Sequence, residues 1–113
     1  MVKRGKSSMQ ASDDDIIARL RKGERRLYAT LIARYRDRGF SLALRILRNR
    51  EDAEEALQDA FVRAWNGLPK FEGASSFATW FYRILYNVCM TSLTKKGRKA
   101  LFVEMDEAGI PDL

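Results

Sequence analysis

Apolar residues recur along this chain at three- and four-residue intervals, and no stretch alternates with the period of two that a half-buried strand requires. Ser12 stands where a helix N-cap would, with Asp15 three positions on as in a capping box. Asp13, Asp14 and Asp15 suit the positive end of that helix, Ile16, Ile17 and Leu20 form its apolar edge, and Gly23 ends or bends it. A second helix is predicted from about Glu24, with Leu27, Tyr28, Leu31, Ile32 and Tyr35 on one face. Gly39 is the expected break, after which Phe40, Ala43, Leu44 and Leu47 make a further stripe. Asn49 caps a helix predicted from about Arg50 to Asn66, whose stripe is Ala53, Ala56, Leu57, Ala60, Phe61, Ala64 and Trp65. Its alanines admit a close neighbour, while Phe61 and Trp65 fill volume, and Gly67-Leu68-Pro69 ends it. Ser75 or Ser76 caps a last long helix, about Phe77 to Thr94, with Phe77, Phe81, Ile84, Leu85 and Val88 on its core face. The pattern predicts an all-α chain.

The length of 113 residues fits one domain or a fragment of one, with enough apolar content (46%) to bury a real core. Residues 1–11 read as a flexible tail, basic at its start but without the apolar run of a secretory signal. No run approaches a membrane span, and the expected compartment is the cytoplasm. Cys89 is the only cysteine and histidine is absent, which rules out an intramolecular disulfide and comes close to excluding a structural zinc site. The common histidine-based catalytic arrangements are excluded likewise, and no P-loop or nucleophile elbow is present, so an enzyme reading has almost nothing to stand on. No cofactor is expected.

Charge changes the picture more than composition does. The net charge is +6, and between Arg19 and Arg50 eleven basic residues face only Glu24 and Asp37. From Ser76 to Lys99 there is no acidic residue, while Arg83, Lys95, Lys96, Arg98 and Lys99 contribute five positive charges. A polyanionic partner fits this distribution. On the last helix Trp80, Arg83, Asn87 and Thr91 share a face separate from the core. An exposed aromatic can stack on a base, and an asparagine amide can read a base edge. The same pattern equally allows Trp80 to be core and Asn87 to be an ordinary surface amide. The loop Phe71-Glu72-Gly73-Ala74-Ser75-Ser76 could wall a pocket, although a plain helix connection with a cap accounts for it as well. The helix of residues 50–66 carries the opposite sign on its outer face, where Glu51, Glu54, Glu55, Gln58 and Asp59 line up with Val62. A polyanion would be repelled there, so the strip suits a basic protein partner or is simply solvated.

In order and spacing, three segments resemble region 2 of the extracytoplasmic-function sigma factors of bacterial RNA polymerase. Arg19-Leu20-Arg21-Lys22-Gly23-Glu24 is similar to the family's opening turn, Glu51 through Trp65 to its polymerase-binding helix, and Phe71 through Asn87 to its promoter-melting segment. The resemblance spans Asp14 to Lys99 and implies a compact three- to four-helix domain over residues 12–99. It implies that Asp52, Glu55, Gln58, Asp59 and Val62 contact the clamp helices of the polymerase β′ subunit. It implies that Phe71, Gly73, Ala74, Ser75, Ser76 and Phe77 hold a base flipped from the non-template strand of the −10 element. Asn87 sits where the family has a base reader, with Trp80, Arg83 and Thr91 on its face and Lys95, Lys96 and Arg98 as phosphate contacts. An anti-sigma factor is a further partner the resemblance admits. Glu72 and Ala74 depart from the arginine and acidic residue common in the family's loop. Residues 100–113 resemble the start of an interdomain linker, with the family's −35-reading domain expected to be absent from this sequence. Two other readings stay open: a duplex-reading helix-turn-helix regulator using residues 76–94, and a helical adaptor using the acidic face alone.

Overall fold

The computed structural model describes the backbone of residues 11–108 and the side chains of residues 11–97. Four α-helices are present among them: α1 (Asp13–Arg21), α2 (Tyr28–Leu47), α3 (Arg50–Gly67) and α4 (Phe77–Ala108), with 3-10 turns at Arg25–Leu27 and Leu68–Lys70 and no strand among the described residues. Residues 1–10 of the expected tail (1–11) and the end of the expected linker, 109–113, lie outside the described residues.

Helix starts follow local cap chemistry. The Asp15 amide donates to Ser12 Oγ (3.0 Å), the Asp52 amide to Asn49 Oδ1 (2.9 Å), and the Thr79 amide to Ser76 Oγ (3.1 Å). Each satisfies a backbone donor that the first turn leaves unpaired. Arg48, in the left-handed conformation (φ 55°), closes α2 before Asn49 opens α3.

Helices α2, α3 and α4 pack mutually, and α1 packs against α2 and the 3-10 turn before it. The core they share includes Leu31, Ala43, Ala53, Ala60, Phe77, Phe81, Leu85 and Cys89, all almost fully buried. Burying a residue such as Phe81 is worth about 1.5–3 kcal/mol. Its ring stacks on Phe61 (centroids 4.5 Å apart) and Phe77 (6.0 Å). The alanines of α3 act as expected: Ala53, Ala56, Ala60 and Ala64 are buried where α3 packs against α2 and α4.

Three helix boundaries differ from the sequence pattern. The second helix begins at Tyr28, because residues 25–27 form a 3-10 turn. It does not break at Gly39: α2 continues through to Leu47 and Gly39 is buried within it. A Cβ at this position would come 2.7 Å from Leu57 Cδ1 and 3.4 Å from Leu85 Cδ2, so the glycine marks a close crossing of α2 with α3 and α4. Helix α4, expected to stop near Thr94, runs on to Ala108, through the first part of the segment expected to be linker.

Candidate nucleic-acid interface

The loop between α3 and α4 is held at both ends. At its start, Arg21 Nη2 donates to the Leu68 carbonyl (3.0 Å) and also to the Phe71 carbonyl, tying α1 to the chain as it leaves α3. At its end, Ser76 caps α4, and Phe77 is buried against Tyr35 (5.4 Å), Phe71 (6.3 Å) and Phe81. Tyr35 is itself fixed: its hydroxyl donates to Asp13, and Asp13 is paired with Arg34 at 2.8 Å. Burial and the Asp13 carboxylate push the Tyr35 phenol well above its ordinary value, so it stays a donor. Between these anchors Gly73 takes a positive φ of 78°, which residues with a Cβ adopt at a cost.

This frame leaves an open cavity of about 430 Å³ lined by Gly73, Ala74, Ser75, Ser76 and Phe77 on one side and by Ser12, Asp13 and Asp14 on the other. Gly73, Ala74 and Ser76 are exposed, Ser75 is half-buried, and Ser75 Oγ donates to the Ser76 carbonyl. Phe71 and Phe77, by contrast, are 8% and 1% exposed and belong to the core that supports the cavity. The contribution of α1 to this wall, and the clamp by Arg21, were missed from the sequence. They join residues about fifty and about sixty positions apart, and no local pattern marks them.

Further along α4, Arg83, Asn87 and Thr91 are exposed, as their shared face requires. Trp80 is different. Its indole packs on Phe71 (4.7 Å) and Phe77 (5.8 Å) and comes so close to Gly67 that a Cβ there would sit 3.1 Å from it. It is half-buried, and of the two readings the sequence left open its packing is nearer to support for the loop than to a free stacking surface. Cys89 is wholly buried, and burial pushes its thiol pKa up. Lys95 and Lys96 are exposed, and the side chain of Arg98 lies outside the described residues.

The acidic strip lies on α3. Glu55, Gln58 and Val62 are exposed, Val62 by 58%. Asp52 and Asp59 are partly covered and each has a cationic neighbour: Lys96 closes on Asp52, and Arg63 meets Asp59 at 3.1 Å. A cleft of about 310 Å³ separates this helix from α4, with Asp52, Glu55 and Asp59 on one wall and Thr91, Ser92 and Lys95 on the other. Negative and positive faces thus stand side by side on adjacent helices.

Comparison with known proteins gives one family. The Sigma-70 region 2 model matches residues 31–99. The RNA polymerase sigma-H factor of Pseudomonas aeruginosa is 31% identical over 90 residues, covering 80% of this chain and 47% of that protein. The ECF RNA polymerase sigma-E factor of Escherichia coli (strain K12) is 32% identical over 99 residues, covering 88% of this chain and 51% of that protein. The chain therefore spans about half the length of the curated relatives it matches. The NMR structure of the complex formed by an engineered region 2 of sigmaE in complex with GTAAAA aligns with a TM-score of 0.72 and 31% identity, covering 80% of this chain and 94% of that one. Helix order, the loop between α3 and α4 and these matches agree: the chain belongs to the sigma-70 region 2 family.

Proposed function

We propose that this chain is a transcription initiation domain that binds RNA polymerase core through α3 and captures unpaired non-template bases of a promoter −10 element with the 71–77 loop and α4. The loop cavity, open to solvent and continuous in sequence with a helix face that bears Arg83 and Asn87 but no carboxylate, carries this reading. Two further observations support it. The similar region 2 of sigmaE is in complex with GTAAAA, and the acidic strip of α3 would repel a phosphate backbone but suit basic residues on a polymerase subunit. The β′ clamp helices are the docking partner this reading takes.

Nothing is hydrolysed. Extracting a base from a duplex costs roughly a few kcal/mol. Hydrogen bonds to Asn87 and contacts in the cavity offset part of that cost, and phosphate contacts from Arg83 and Lys95 offset more. Melting is then a population shift: the open strand binds and the closed duplex binds poorly. No cofactor enters, and the setting is the cytoplasm. An anti-sigma factor would act by covering either face.

The test is a pull-down with RNA polymerase core, followed by crosslinking to a promoter carrying a pre-opened −10 bubble. Retention on core and crosslinks to the non-template strand of the bubble are expected. A footprint on intact duplex without polymerase would instead favour a duplex-reading regulator, and failure to bind any nucleic acid would favour a protein adaptor.

A further inference from the structure

The exposed face of α4 carries apolar side chains that the core does not explain. Tyr86, Met90 and Leu93 are 50%, 36% and 40% exposed and lie at i, i+4 and i+7, so they form one ridge. Isolated apolar residues on a surface are ordinary, but a contiguous ridge marks a binding surface. At about 100° per residue, Tyr86, Met90, Arg83 and Asn87 fall within an arc of roughly 100°, with Tyr86 at one border, Asn87 at the other and Arg83 between them. Residues 77–97 contain no Asp or Glu, so the whole arc is neutral or positive. Among proteins and nucleic acids, a surface of one aromatic ring, one thioether and one guanidinium beside an amide is complementary to unstacked bases on an anionic backbone. Trp80, the aromatic expected in that role, is engaged by Phe71, Phe77 and Gly67. Tyr86 is the exposed aromatic on the described part of α4.

We propose that Tyr86, backed by Met90, is the platform on which a nucleobase stacks beside the base read at Asn87. The ridge would thus extend the interface from hydrogen-bond readout at one border of the arc to sequence-tolerant stacking at the other. This rests on the strand-capturing function proposed above.

The experiment measures binding of the full chain to labelled single-stranded DNA of sequence GTAAAA and to six copies, each with an abasic site at one position. Tyr86→Ala is expected to weaken binding to the intact probe about ten-fold while Tyr86→Phe stays within about two-fold, because the ring and not the hydroxyl stacks. The difference between wild type and Tyr86→Ala should vanish with one abasic probe, and the effect of Asn87→Ala should vanish with a neighbouring one. Thermal unfolding of Tyr86→Ala should match wild type. Equal binding by wild type and Tyr86→Ala would overturn the proposal and leave the strand-capturing function standing. The same loss on every abasic probe would overturn it too, since a contact with one base is position-specific. So would sedimentation showing that the ridge joins two copies of the chain and that Tyr86→Ala separates them. A wild-type chain that ignores all the single strands would sink both this proposal and the function beneath it.

Discussion

Lys96, about two-thirds of the way along α4, is ion-paired with Asp52 in the first turn of α3. The two residues are 44 positions apart, and the pair joins the helix proposed to face DNA to the helix proposed to face polymerase. While paired, neither charge is fully available to an outside partner. Lys96 is half exposed, so the pair is worth about 0–1 kcal/mol, and its weight falls with salt. Asp52→Asn should therefore free Lys96 and raise single-strand affinity by about two- to five-fold at low salt, with the gain fading as salt rises. Fluorescence anisotropy at several ionic strengths checks this; a loss of affinity would contradict it.

Gly39 is predicted to tolerate no branched side chain. Its place against Leu57 and Leu85 sits inside the three-helix crossing, and overpacking of this kind costs about 1–3 kcal/mol. Gly39→Val should lower stability by that amount in urea unfolding, with the slope of the transition unchanged. An unaltered midpoint would show that the helices part more easily than the packing implies.

Asp59→Arg should weaken binding to RNA polymerase core while leaving single-strand affinity unchanged or raised. The substitution removes a carboxylate from the strip and sets a second guanidinium beside Arg63. Titration with core polymerase measures it, and unchanged affinity would remove Asp59 from the docking face.

Two tyrosines make stability fall in alkali. The Tyr28 hydroxyl donates to the Phe61 carbonyl, and burial raises its pKa; Tyr35 is raised by burial and by Asp13. In the unfolded chain both phenols ionise near about pH 10. Above that pH the folded chain holds more protons than the unfolded one, so stability is fully present below pH ~10 and declines as pH rises. Urea midpoints at increasing pH should show this decline, and Tyr28→Phe should make it shallower. An equally steep decline in the variant would assign the effect elsewhere.

What could be read from the sequence was whatever is encoded within one or two turns. Ser12 and Asn49 were legible as caps because the acceptor and its amide lie three residues apart. The acidic strip of α3 and the exposed face bearing Arg83, Asn87 and Thr91 followed from helical spacing alone. Gly39 misled because its reason, the tips of Leu57 and Leu85, lies on other helices. The sequence left Trp80 open between core and surface, because what settles its place, the bare Gly67 at the end of α3 against which the indole lies, is thirteen residues away. Tyr86 was assigned to neither face from the sequence, and its 50% exposure shows where it stands. The second wall of the loop cavity was hidden because α1 reaches it from sixty residues upstream.

The most direct measurement is a split assay on Asn87→Ala: affinity for RNA polymerase core on one side, open-complex formation at a −10 promoter on the other. Asn87 is exposed on α4, whereas the proposed docking strip lies on α3, so its loss is expected to remove a base contact and no docking contact. Core affinity within error of wild type together with about a ten-fold or greater loss of open complex is the predicted result. Open-complex formation at the wild-type level, or equal loss of both activities, would contradict the account.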